Sequence, residues 1–332
     1  MLFLGSFEAA RSGLFAESKI TTVRIGHFPN ITHAQGVIGH ARGSFEPLGP
    51  DAVVHWKIFN AGPSAIEALF AGQLDITYIG PSPAINGFIK SDGEALRIIA
   101  GAASGGAALV VRADSGIRKP EDFRNKKTAT PQLGNTQDVS LRAWLAKNEL
   151  RLKEVGGDVQ VLPLTNADHV TLFLKKEIDA SWTVEPWVST LVQKADGKVY
   201  LDEATLWPDG RYATAVVVVR KKFLDEHPDI VRRFLKVHAE LTDWITTNPD
   251  EAKAALKKEI EKETQKEFSQ SILDSAFPKI LFTTDLMRSS ILQQAEAAYQ
   301  AGYIKKKPEL ADLFDDTPLE TGAGKSLKKV LK

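Results

Sequence analysis

The stretch "GPSAIEALFAGQLDITYIGPSPAINGF", residues 62–88, carries Gly-Pro-Ser twice, at Gly62-Pro63-Ser64 and at Gly80-Pro81-Ser82. Each copy precedes an apolar run with helical spacing. Proline suits the first helical position, where its missing N–H would have no partner anyway, and glycine closes helices. The first copy therefore opens a helix that stops at Gly72. Between the copies, "LDITYIG" (74–80) is a short apolar run rich in β-branched and aromatic residues, as buried strands are. Helix, strand and helix in such close succession make an α/β unit.

The same grammar extends in both directions. Residues 22–26 ("TVRIG") alternate as a strand does, and "HFPNITHAQGVIGHARG" (27–43) reads as a loop and a helix ending at Gly43. Residues 52–59, 96–103 and 107–112 are further strands. The pattern then restarts, with a strand at 127–130, a glycine turn, a helix from Thr136, a strand at 159–164, and helix, strand, turn and helix across 167–195. "ALFAGQLDITYIGPSP" and "TLFLKKEIDASWTVEPW" follow one plan, with Asp75 and Asp179 in corresponding places. "AVVVVRKKFLDEHPD" (215–229) echoes "AALVVRADSGIRKPED" (107–122), and the chain then reads as helical to about residue 303. Paired crossover strands predict two lobes, each a mixed, mostly parallel sheet flanked by helices. Residues 20–110 with 215–325 form one, and residues 111–214 the other.

Composition limits the function. Lys plus Arg (42) equals Asp plus Glu (42), so nothing draws the chain to nucleic acid or an anionic membrane. No cysteine is present, which removes disulfides, thiolate metal sites and a cysteine nucleophile. No apolar run approaches the ~20 residues of a membrane span. Residues 1–19 lack a basic start and are broken by Glu8 and Arg11, so they read as a leader remnant or a disordered arm. "GAGKS" near the end lacks the spacing and preceding strand of a phosphate-binding loop.

The phrases "VRIGHFPNITHAQ", "FNAGPSAIEALFAGQLDITYIGPSPAI", "AALVVRADSGIRKPEDFRNKK", "ATPQLGNTQD" and "EIDASWTVEPW" together resemble the type II periplasmic substrate-binding proteins of the aliphatic sulfonate, taurine and nitrate branch of ABC importers. The resemblance covers roughly residues 20 to 320. It implies a two-lobed flytrap that captures a small solute and passes it to a membrane permease and its ATPase. It implies a periplasmic location, a monomer, no cofactor and no catalysis.

In α/β lobes, ligands bind outside the carboxyl ends of strands, near helix N-termini. Five turns qualify. They carry Phe28, Asn30 and Gln35; Asn60, Gly62, Pro63 and Ser64; Gly80, Pro81 and Ser82; Gln132, Gly134, Asn135, Thr136 and Gln137; and Trp182, Glu185 and Trp187. Helix N-termini with glycine and hydroxyl or amide side chains suit an oxyanion. None of these turns contains Lys or Arg, which fits a weakly basic monovalent anion such as a sulfonate. Phe28, Trp182 and Trp187 are candidate walls for an organic tail. Taken singly, each Gly-Pro-Ser is a helix cap.

Glu185 would repel an anion. This keeps open a second reading, a binding protein for a pyrimidine-type thiamine precursor, with the carboxylate meeting an amine. The seven histidines show no metal-ligand spacing and no G-x-S-x-G elbow occurs, so no enzyme and no metal site are expected. His27 reads as a strand-end residue.

Overall fold

The computed structural model describes residues 20–322, so the N-terminal arm and all but the first residue of "GAGKS" lie outside the described residues. The elements run β1 (Thr21–His27), α1 (Ala34–Arg42), β2 (Ala52–Ile58), α2 (Gly62–Phe70), β3 (Ile76–Ile79), α3 (Pro81–Lys90), β4 (Leu96–Gly105) and β5 (Ala107–Arg112). They continue with β6 (Lys127–Thr130), α4 (Thr136–Lys147), β7 (Gln160–Pro163), α5 (Asn166–Leu174), β8 (Ala180–Val184), α6 (Trp187–Lys194) and β9 (Gly197–Asp202). The last are β10 (Ala213–Arg220), α7 (Lys221–Glu226), α8 (Pro228–Thr247), α9 (Pro249–Thr264), α10 (Gln270–Ala276), β11 (Ile280–Phe282), α11 (Arg288–Gln300) and α12 (Thr317–Gly322).

The strands form two sheets, ordered β11-β4-β10-β3-β1-β2 and β7-β6-β8-β5-β9. Parallel pairing holds where helices link the strands, for β1 with β2 and β3 and for β6 with β7 and β8. β10 and β5 are the returning strands, and they pair antiparallel with their neighbours. Both sheets are therefore mixed, and less parallel than the alternating grammar implied. The edge strands β9 and β11 were absent from the sequence reading. The chain passes between sheets at Gly105–Gly106, both left-handed (φ 82° and 76°), and again between Asp202 and Ala213. These passages fall a few residues before the limits 110 and 214 read from the sequence.

The valine run in β10 follows from its central place. Ala215, Val217 and Val219 pack into one core with β1, α1, α8 and α9, while Val216 and Val218 pack into another with α2, α3 and α11. A strand covered on both faces reads as continuous apolar sequence rather than alternation. Leu109 and Val111 of β5 likewise split from Ala108 and Val110 across the second sheet.

Candidate functional site

The turns singled out in the sequence meet where the two sheets face each other. On the first sheet's side, α2 and α3 start on Gly62 and Pro81, with Ala61 and Gly80 as caps. Proline occupies positions 63, 81 and 83, so few N–H groups remain in these first turns. Two of them point across the junction. Gly62 N donates to Asn135 Oδ1 (3.3 Å), and Ser82 N donates to Thr136 Oγ1 over a long 3.4 Å.

Gly80 has an ordinary extended backbone (φ −70°, ψ 151°), so glycine is not needed there for its conformation. It is needed for space, because a Cβ at position 80 would stand 2.2 Å from Thr136 Oγ1. At Gly134 the left-handed φ of 79° and the Tyr303 hydroxyl both exclude a side chain.

The helix ends differ electrically. Neither α2 nor α3 has an acidic residue in its first turn, so their partial positive charge is uncompensated. The first turn of α4 contains Asp138, fully buried. Its carboxylate accepts from Gly134 N (2.9 Å), Thr130 Oγ1 (2.9 Å) and Arg142 Nε (2.9 Å). The N-terminus of α4 thus supplies its own anion. It offers the junction the neutral side chains Asn135, Thr136 and Gln137, with Asn135 Nδ2 donating to Gln137 Oε1 (3.0 Å).

A second seam joins the loop after β1 to the β8–α6 turn. Trp187 Nε1 donates to Asn30 Oδ1 (3.0 Å) and Ile31 N donates to the Glu185 carbonyl (3.1 Å). Phe28 is buried and stacks on His33 with ring centroids 4.4 Å apart. The Glu185 carboxylate is buried and accepts from Ser189 N (2.9 Å), Ser189 Oγ (2.8 Å) and Lys279 Nζ (2.8 Å). Its charge is met by Lys279, a residue the sequence reading missed because the short strand that follows it, β11, was not recognised.

Four expected site residues do not join the junction. Gln35 points into the first sheet's core, where its amide donates to Ala102 O (2.9 Å) and Thr242 Oγ1 (3.1 Å). Trp182 is fully buried in the second sheet's core and donates to Glu203 Oε2 (2.7 Å), so it walls nothing. Ser64 Oγ donates back to Ala61 O (2.9 Å), within the first turn of its own helix, and Asn60 is exposed. Gln132 is half-buried, and its Oε1 is buried without a hydrogen bond. An open groove of about 860 Å³ runs beside the junction between α4 and α11, with Ser82, Val139 and Gln294 among its lining.

A putative binding protein of Brucella abortus strain 2308 is 30% identical over 232 residues, 69% of either chain. A putative aliphatic sulfonates-binding protein of Bacillus subtilis is 29% identical over 268 residues, covering 80% of this chain and 76% of that protein. The alkanesulfonate-binding protein of Xanthomonas axonopodis pv. citri, solved bound to MOPS, superposes with a TM-score of 0.73 at 18% identity, over 90% of this chain and 99% of that one. At that identity the likeness establishes the fold, which is that of periplasmic binding proteins. These relatives are named for binding, not for a reaction. Residues 16–259 match the family described as NMT1-like, and the chain belongs to that family.

Proposed function

We propose that the chain is the extracytoplasmic solute-binding component of an ABC importer and that it takes a small oxyanion, of the organosulfonate class, at the junction between its sheets. The observation that carries this reading is the meeting of two carboxylate-free helix N-termini with the oxygens of Asn135 and Thr136. Those two oxygens accept from Gly62 N and Ser82 N, the same N–H groups that an anion's oxygens suit. When the lobes part, the N–H groups are free for a ligand, and the amide and hydroxyl of the other side become donors to it. A sulfonate is monovalent and weakly basic, so neutral donors hold it without the desolvation of a buried cation. The relative solved with MOPS, itself a sulfonate, supports the class. Capture would be followed by delivery to a permease and its ATPase.

The pyrimidine reading is weaker. It needs Glu185 to meet an amine and Trp182 or Phe28 to stack on a ring. Glu185 is already engaged by Lys279 and Ser189, and Trp182 is sealed in a core. Calorimetric titration with alkanesulfonates, taurine, nitrate, sulfate, phosphonates and an aminopyrimidine tests both. Binding of a sulfonate but not the aminopyrimidine is expected. Folded protein that binds none of the anions would overturn the proposal.

A further inference from the structure

Outside the junction, three side chains from three elements converge under the outer helices of the first sheet. His27 ends β1, His40 lies in the last turn of α1, and Glu263 lies in the last turn of α9. His27 Nε2 is 3.2 Å from His40 Nδ1 and 3.2 Å from Glu263 Oε1, and His40 Nδ1 is 3.5 Å from the same oxygen. The His27 and Glu263 side chains are 0% and 2% exposed, while His40, at 23%, forms the outer edge of the cluster. Although these distances are short, neither oxygen of Glu263 has a hydrogen bond of acceptable geometry, and His27 Nδ1 has none either. Lys262 is largely exposed and bonded to Glu259 (2.8 Å). A buried carboxylate whose two oxygens accept no hydrogen bond is costly, and an arrangement that keeps one calls for a ligand.

We propose that His27, His40 and Glu263 form a site for one divalent transition-metal ion of the zinc class. The three ligand atoms make a triangle with sides of 3.2, 3.2 and 3.5 Å. A tetrahedral ion with bonds of about 2.0–2.1 Å sets its ligands roughly 3.3–3.4 Å apart, so these atoms need shift by only a few tenths of an ångström. Two imidazoles and one carboxylate suit zinc and its neighbours, whereas calcium and magnesium prefer all-oxygen shells. Glu259, one helical turn before Glu263 and with Oε1 3.6 Å from His40 Nδ1, is the fourth donor within reach. Trp56 stacks on His40 (centroids 5.0 Å apart) and meets His27 edge-on (5.4 Å), which fixes both rings. The ion would tie α9 to the end of β1, directly before the Phe28–Asn30 loop that enters the junction. No linear motif shows this site, because its ligands come from three separate elements.

The test uses tag-free, chelator-stripped protein titrated with Zn²⁺ by calorimetry and with Co²⁺ by visible absorption. Saturable uptake of one ion per chain is expected, with tetrahedral-type Co²⁺ bands and a raised melting temperature. Glu263→Gln keeps the shape but removes the anionic ligand. Zinc affinity should fall at least about tenfold, a lower bound set by what even supporting residues of metal sites contribute. Because the variant also removes a buried carboxylate whose oxygens accept no hydrogen bond, the metal-free protein should melt at the same temperature or higher. His40→Gln, at the partly exposed corner, should likewise lose the ion while staying folded. The absence of saturable uptake by the parent, or equal uptake by parent and both variants, would overturn the site.

Discussion

Each sheet is tied internally by an aspartate in the same device, fully buried in the first sheet and partly exposed in the second. Asp75, just before β3, donates its N–H to Arg24 O (2.9 Å) and accepts from Arg24 N (3.0 Å), while Arg220 of β10 reaches its other oxygen (2.6 Å). Asp179, just before β8, donates to Lys127 O (2.8 Å) and accepts from Lys127 N (2.9 Å), with Arg112 of β5 at 3.6 Å. The backbone frame repeats, down to the N–H of each arginine donating to the aspartate carbonyl at 2.8 and 2.9 Å. The environments differ: the Asp75 side chain is 0% exposed and that of Asp179 is 20% exposed. A repeated motif therefore preserves strand geometry more faithfully than energy. The junction shows the same asymmetry, since one sheet brings bare helix N-termini and the other brings oxygens.

The comparison breaks most sharply at the aspartates. Asp75→Ala should cost about 3–5 kcal/mol, as removing one partner of a buried ion pair does, whereas Asp179→Ala should cost about 1 kcal/mol. Urea unfolding of both variants measures this, and equal losses would show that the partly exposed copy carries as much as the buried one.

The next effect is confined to the second sheet. Burial raises the pKa of Glu203 from 4.5 to about 7, against the hydrogen bonds from Trp182 and Ser140. The folded form therefore holds a proton that the unfolded chain releases between those pH values. Glu203's share of stability is full below about pH 4.5 and is lost as pH rises through 7. Glu203→Gln should be more stable than the parent by roughly 2–3 kcal/mol at pH 8 and by little at pH 4.5. Parallel pH dependence of the two unfolding curves would contradict this.

A third experiment tests the fit between the sides. Gly80→Ala has no backbone cost but collides with Thr136, so solute affinity should fall about tenfold or more, equivalent to ~1.4 kcal/mol, with stability unchanged. Adding Thr136→Ala should relieve the collision without restoring affinity, because it also removes a donor to the solute. Unchanged affinity in Gly80→Ala would place the solute elsewhere. The smallest effect belongs to Ser64→Ala, which should cost about 0.5–1 kcal/mol of stability as one lost hydrogen bond and leave affinity untouched, measured by thermal melting alongside titration.

The α/β grammar and the duplicated aspartates were legible because periodicity and turn chemistry act locally. The turns at Gly62, Gly80 and Asn135 were legible for the same reason. Other features depend on phase. Every residue of β8 is buried, so alternation could not assign Trp182 to a face. Gln35 sits on a helix whose first six residues are all buried, and its polar character alone suggested a ligand. β11 has three residues, too few for any pattern, so Lys279 before it went unnoticed. The histidine–glutamate cluster joins positions more than two hundred residues apart, which only the packing of α1 against α9 brings together.

The central place of β10 also bears on the order in which the molecule is built. Every strand of the second sheet lies between Ala107 and Asp202, so that sheet is complete once its own segment has been synthesised. The first sheet is different, for β3 and β4 have no edge in common and wait for β10 to come between them. Until residues 213–220 emerge, the first sheet exists as a β2-β1-β3 fragment and a solitary β4. Long-range pairing of this kind is expected to form late, and a chain ending before residue 213 would leave the facing edges of β3 and β4 without their partner strand.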